Sequence, residues 1–362
     1  MNKVSAALST LLLIFFVINS NAQNNKLTVE KEPGWVTINS INYNTHNQDD
    51  DAEDGYLDLA YEKQVSLIEK AKYYKKISKI LSESGVENNS SISIDFDPSY
   101  ERLLLHKIRI IRDGVSIDKL KLSKFKTIQQ ENDLSSHLYN GTLTALLLLE
   151  DVRKGDIIEY SYTLRGLNPI FNNKYCDVFD TRFLVPVSNL YYRVVTTKDR
   201  KINIKSTDPA IFETTTVTQH GVEHEWKITE VKPLRVDKRI PSWFDPFPVI
   251  FISEYNSWNE VSAWASSLFP VKVDLSPILK TKIDAIRRNN SSKEAQTLEA
   301  LRFVQDEVRY MGIEMGVGSH KPGDPNKIFS QRFGDCKDKS YLLVTMLMEL
   351  GIEAYPILIN TF

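Results

Sequence analysis

A single change of hydrophobic period divides this chain and limits its fold more than any other feature. From about Tyr61 to Lys238, apolar residues alternate or gather in short β-branched runs between polar turns, the pattern of half-buried strands. Arg109-Ile110-Ile111-Arg112-Asp113-Gly114-Val115-Ser116-Ile117 predicts a hairpin around Asp-Gly. Leu143 to Leu149 suits a buried strand and is too short to span a membrane. Asp156 to Leu164, Tyr191 to Thr197 and Glu225 to Ile228 add further strands. Many short strands joined by polar turns predict an antiparallel β-sandwich. Pro233, Pro241, Pro246 and Pro248 then place a boundary near residues 235–255.

Beyond that boundary the period is helical. Ser257-Trp258-Asn259-Glu260 is a capping box, with Val261, Trp264 and Leu268 on one face. Ser291-Ser292-Lys293-Glu294 is a second, followed by Leu298, Leu301, Val304 and Val308, with Gly312 as the stop. A loop from Gly312 to Pro325 leads to a third helix, with Asp335 as its cap, Cys336 at its first position and Asp338 reaching back. Tyr341 to Leu350 is apolar nearly all round, so burial on most sides is expected, and Gly351 ends the helix. Glu353 to Ile359 reads as a strand, with Pro356 near its start or on an edge.

The 362 residues suggest two folded domains, and a net charge of -2 gives no field directed at nucleic acid or an anionic membrane. Lys3, the apolar run Val4 to Ile18 and the small residues of Ser20-Asn21-Ala22 predict a signal peptide over 1–22. A membrane anchor is the rival reading, but the run is short and no cationic stop follows it. Export to the periplasm or beyond is therefore expected, with no integral membrane segment after cleavage. Residues 23–55 read as a polar N-terminal segment, and 56–240 as the β-sandwich.

Two metal patterns are set aside. The acidic run Asn47 to Gly55, fitted as a calcium loop, places Ala52 at a ligand position, which favours a solvated loop. His220-Gly221-Val222-Glu223-His224 matches an inverted zinc-peptidase pattern, but strand formers flank it and Gly221 marks a turn, so a hairpin tip is expected. No cofactor is required.

The chain has two cysteines. Cys176 reads as a small buried filler, unpaired. Cys336, at a helix start beside Arg332, Lys337 and Lys339, has a dipole and cations that favour the nucleophilic thiolate. A plain buried cysteine at a helix start is the alternative.

Tyr310-Met311-Gly312-Ile313-Glu314-Met315-Gly316, Lys321-Pro322 and Arg332-Phe333-Gly334-Asp335-Cys336-Lys337-Asp338-Lys339 together resemble the transglutaminase-like superfamily, in its bacterial exported branch. Proteins of that branch carry a β domain of unknown function ahead of the cysteine core. Tyr100-Glu101-Arg102-Leu103, Arg112-Asp113-Gly114 and Val152 to Tyr162 are similar to that domain. The resemblance implies an α+β chain: a β-sandwich, then a partial papain-like α/β core over 251–362. It also implies a Cys-His-Asp triad in chain order with Cys336 as nucleophile, acting on a glutamine carboxamide or a peptide bond of a protein or peptide substrate.

The chain departs from that pattern. No histidine follows Cys336, and the six histidines are His46, His106, His137, His220, His224 and His320. Only His320 lies in the helical region, in a loop before the nucleophile, where it is either a base or a solvent-exposed loop histidine. The expectation is a core truncated or decayed after the cysteine helix and one strand, and poor at amide turnover. Two other readings stay open: an exported binding module whose β-sandwich holds a peptide, glycan or protein, and a structural envelope protein.

Overall fold

The structure, a computed structural model, describes residues 27–359 except 46, 130–137, 237–238, 242 and 271. The expected signal peptide, and with it His46 and His137, lies outside the described residues.

Strands β1 (Leu27–Val29), β2 (Tyr56–Ser66) and β3 (Ala71–Ile80) precede a short helix α1 (Glu83–Asn89). They are followed by β4 (Ser91–Phe96), β5 (Arg102–Arg112), β6 (Val115–Asp118), β7 (Lys126–Gln129), β8 (Leu138–Tyr139), β9 (Leu143–Leu148) and β10 (Ile157–Arg165). The series ends with β11 (Cys176–Asp180), β12 (Val187–Thr196), β13 (Asn203–Ser206), β14 (Thr214–Val217), β15 (Val222–Val231) and β16 (Val249–Ser253). Asp113 and Gly114 both have positive φ, 50° and 77°, and Arg112 pairs with Val115 across them. That is the tight turn whose twist matches the flanking strands.

Nine strands form one sheet, in the order β1-β5-β10-β3-β2-β12-β15-β14, with β6 against β5. Its hairpins are antiparallel, but β1 runs parallel to β5 and β12 parallel to β2. The sheet is therefore mixed, where a purely antiparallel one was expected. The β2–β3 hairpin leaves one edge of β2 free, and the chain returns to it only after β11, through the kind of long connection that parallel pairing requires.

Two three-stranded sheets, β4-β9-β7 and β11-β16-β13, supply packing partners. Ile92, Ile94 and Phe96 alternate along β4 and join Leu103, Leu105, Ile108, Ile110 and Ile158 in one buried cluster. Phe179, Ile250 and Ile252 meet Val65, Tyr192, Val194 and Trp226 in another. Because β16 is paired on both sides, the β-rich part runs to Ser253, past the expected limit at 240. The polar segment before 56 is also built into it. Thr37 and Gln64 exchange two hydrogen bonds (2.9 and 2.8 Å), Tyr43 donates to Glu159 (3.1 Å), and Arg193 donates to the Trp35 carbonyl (2.7 Å).

The helical part comprises α2 (Trp258–Ser267), α3 (Pro277–Asn289), α4 (Lys293–Glu307), β17 (Arg309–Tyr310), β18 (Gly312–Ile313), α5 (Pro325–Gln331), β19 (Phe333–Gly334) and α6 (Cys336–Glu349). The side chains of Ser257, Ser276 and Ser292 each accept an N–H of the first turn. The cap of α4 is thus one residue later than the box at Ser291 suggested. Of its expected inward residues Val304 and Val308 are buried, but Leu298 is 46% exposed, and Ala300 and Phe303 complete the buried face instead. They pack with Leu279, Ile283, Ile328, Phe329, Leu342 and Met346.

Helix α6 is not enclosed all round. Its Tyr341, Val344 and Met348 line a cavity of about 580 Å³ together with residues of α2 and the segment 354–358. Residues 352–359 form no strand, since no neighbouring strand pairs with them among the described residues, and Tyr355, Ile357 and Ile359 are exposed. No helix among the described residues is long and apolar enough to cross a membrane.

Trp226 is 1% exposed and meets Phe179 edge to face at 6.1 Å. Trp226→Ala should destabilise the fold by about 3–5 kcal/mol, read as a fall in the urea midpoint at unchanged slope.

Candidate active site

The thiol is placed by its neighbours in sequence. Asp335 is buried, and its Oδ1 accepts from Lys337 N at 3.0 Å and Asp338 N at 3.2 Å. Asp338 Oδ2 accepts from Asp335 N at 3.2 Å, which completes a reciprocal box. Cys336 is the first helical residue and is exposed. The glycine before the box is required by contact: a Cβ on Gly334 would stand 2.7 Å from Asp338 Cβ. Asp338 Oδ1 also accepts from Gly323 N at 2.7 Å, so this carboxylate ties the preceding loop to the helix. Burial raises its pKa, and the Gly323 N–H works against that rise.

The box limits what the helix end can do. Lys337 N and Asp338 N are engaged by the Asp335 side chain, and Lys339 N by the Asp335 carbonyl at 2.9 Å. The first-turn donor left outside the cap is Cys336 N itself. It would serve a carbonyl oxygen attacked by its own sulfur.

Strands β17 and β19 run in parallel, with Tyr310 opposite Gly334. Burial first, then the charges of Cys336, Asp335 and Glu314, raise the pKa of the Tyr310 hydroxyl, against the pull of Lys337. These charges make one electrostatic neighbourhood at the helix start. Within it, Lys337 Nζ is paired with Asp335 and, at 3.2 Å, with Glu314. Burial opposes the charge on Lys337, but those two carboxylates raise its pKa.

Arg332 pairs with Glu307 at 3.1 Å and lies over the Phe303 and Phe329 rings. Lys339 donates to the Val308 carbonyl at 2.6 Å, and burial lowers its pKa. Two of the three cations expected to favour thiolate thus face carboxylates, which reduces their field at the sulfur.

His320 is not hydrogen-bonded to the thiol. Its Nδ1 is 2.8 Å from Ser319 Oγ, and its ring meets Phe171 and Trp264 edge to face at 5.0 and 5.6 Å. His320 is exposed, as one of its two expected readings had it, though the two rings flank its imidazole. That partial burial lowers its pKa below the ordinary 6.5, and the charge of Lys337 adds to the shift.

Cys176 is exposed, contrary to its expected role as a filler. Along β11 it is Phe179 that turns inward, and Cys176 Sγ lies 3.4 Å from Ser253 Oγ on the neighbouring strand. His220 and His224 do not share a helical face. Strands β14 and β15 form a hairpin with Val217 paired to Val222, and His224 Nδ1 faces Glu213 at 3.0 Å. The acidic run contains a single 3-10 turn, Asp49–Asp51, with Asp49 3.3 Å from Lys79.

In the sequence Glu314 and Tyr310 stand out only as members of the 310–316 motif. Their roles depend on contacts made across more than 20 residues, which spacing does not reveal.

Residues 69–235 are similar to DUF3857. That family is described as a domain of unknown function with a solved structure, and it lies in the β-rich part, where a domain of this kind was expected. The fold as a whole is similar to the crystal structure of a "putative protease" from Parabacteroides distasonis, with a TM-score of 0.67 at 13% identity. The match covers 83% of this chain and 59% of that one, so the chain spans under two thirds of that protein's length. At this identity the likeness is one of fold. No curated protein matches the chain.

Two outcomes follow. Asp335→Ala removes the cap and should cost about 1 kcal/mol, whereas Asp335→Asn, which keeps a side-chain oxygen, should cost less; urea midpoints check both. For His320, the folded state binds its proton less tightly than the unfolded state, so stability should fall as pH drops below the ordinary 6.5. His106 is shifted the same way by burial. The measurable quantity is therefore the difference between parent and His320→Gln, whose midpoint should lose less between about pH 7 and about pH 5.

Proposed function

We propose that this chain is exported and carries, on Cys336, the nucleophile of a thiol-dependent acyl transfer or hydrolysis at a glutamine carboxamide or peptide bond. The observation that carries this reading is the exposed sulfur at the first position of a capped helix, with the Cys336 N–H outside the cap. The resemblance of the 310–339 motifs to the transglutaminase-like superfamily supports it. So does a fold shared with a structure described as that of a protease. On this reading 56–240 is the core of a β-sandwich, and 251–362 is a transglutaminase-like core taking a protein or peptide substrate.

The thiolate would attack the carbonyl carbon. The C–N bond would break as the leaving amine takes a proton from solvent water. Water or a second amine would then attack the thioester carbon, losing its proton to solvent as the C–S bond breaks and the thiolate is restored. His320 makes its hydrogen bond to Ser319 rather than to the thiol, so it is not positioned to take the thiol proton. Activated esters, whose leaving group needs no proton, are the substrates with which this thiol should form a thioester most readily.

The test compares two exposed thiols in one molecule. Iodoacetamide should modify Cys336 roughly tenfold faster than Cys176 slightly below neutral pH, followed by peptide mass spectrometry. Equal, slow labelling would defeat the nucleophile reading and favour an exported binding module.

A further inference from the structure

The β-rich part grips one loop of the helical part from several directions. Strand β18 pairs in parallel with β8, Gly312 opposite Leu138 and Ile313 opposite Tyr139, and Glu314 N donates to the Tyr139 carbonyl at 2.7 Å. Asp97 Oδ2 accepts from Gly316 N at 3.0 Å. Asn168 Nδ2 donates to the Gly316 carbonyl at 3.1 Å and to Ser319 Oγ at 3.3 Å. Gly316 has φ +56°, and a Cβ there would stand 2.5 Å from Ser99 Oγ, so close approach and backbone conformation both call for glycine.

Both flanks of Glu314 are held in this way, and its side chain reaches Lys337, next to the thiol. Within the helical part, the Glu314 side chain is the loop's hydrogen-bonded tie to the cysteine helix, at Lys337. The grip is polar, part backbone and part side chain: Asp97 uses Oδ2 on the loop while its Oδ1 accepts from Ser99, and Asn168 uses Nδ2 on the loop while its Oδ1 accepts from Ile170 N.

We propose that the β-rich part is a positioning element for the Cys336 site, in which Asp97 and Asn168 hold the 312–320 loop so that Glu314 stays paired with Lys337. Glu314 offsets the charge of Lys337, the residue after the cysteine, so the grip restrains thiolate formation. This rests on the nucleophile reading of Cys336, but its central contact is separately measurable.

The experiment is a double-mutant cycle on the full chain, combining the pair Asp97→Ala/Asn168→Ala with Glu314→Gln. Two readouts are taken: hydrogen exchange of peptides covering 312–320, and the iodoacetamide rate at Cys336 with Cys176 as internal reference. The latch pair should raise exchange in the loop, and Glu314→Gln should not. Each should raise the Cys336 rate by roughly two- to fivefold, and together no more than either alone, because both remove one carboxylate contact.

Unchanged exchange in the latch pair would overturn the proposal. So would raised exchange with an unchanged Cys336 rate, or rate effects that multiply. A parent Cys336 that labels no faster than Cys176 would defeat the nucleophile reading instead, while the exchange result would still report on the latch. If the latch pair is globally destabilised, Asp97→Asn alone gives the same comparison with a smaller expected change.

Discussion

The candidate site depends on one buried carboxylate. Asp335 is 1% exposed, yet it caps two backbone amides and pairs with Lys337. A buried charge is tolerated only when it is matched this fully. Those same bonds hold the first turn of α6 with Cys336 directed outward. The arrangement also restricts the site, because every amide taken by the cap is withdrawn from an oxyanion. The helix end therefore offers a rigid platform and a single donor, with less positive field than its uncapped amides would supply.

Features governed by local chemistry were legible in the sequence. The Asp113-Gly114 turn, the β14–β15 hairpin around the histidines, and the Asp335 cap all follow from residues a few positions apart. Helices α3 and α5 also carry a local signal, a serine or aspartate cap followed by proline at the first position. They were missed because their short apolar stripes lie among lysines and asparagines. The strand expected at 353–359 failed for the opposite reason: its residues favour a strand, but pairing needs a partner that local pattern cannot supply.

Non-local pairing explains the rest of what the sequence hid. The parallel joint between β2 and β12 depends on where the chain returns after some 120 residues. The polar segment before residue 56 gave no strand or helix signal, yet Gln64, Glu159 and Arg193 hold it across the large sheet. Cys176 shows the same limit on a smaller scale. Which face of β11 is inward follows from the sheet it meets, and that sheet turns Phe179 in and the thiol out.

The charges around Tyr310 bear on how such a site can be both stable and reactive. An unopposed cation beside a thiol at a helix start would favour thiolate, but a half-buried ammonium needs a partner. Lys337 has two, one of them in its own helix cap and the other, Glu314, in a loop gripped by a different part of the molecule. The Asp335 contact is local and cannot be released without losing the cap. The Glu314 contact lies outside the cap, held by a two-residue strand pairing and by hydrogen bonds from Asp97 and Asn168, so it can be released without disturbing the helix start. Of the two carboxylates, Glu314 is thus the one whose displacement could alter the thiol while leaving the fold intact. The separation follows from topology: the fixed partner precedes the cysteine by one residue, and the movable one is positioned by a surface that belongs to the β-rich part.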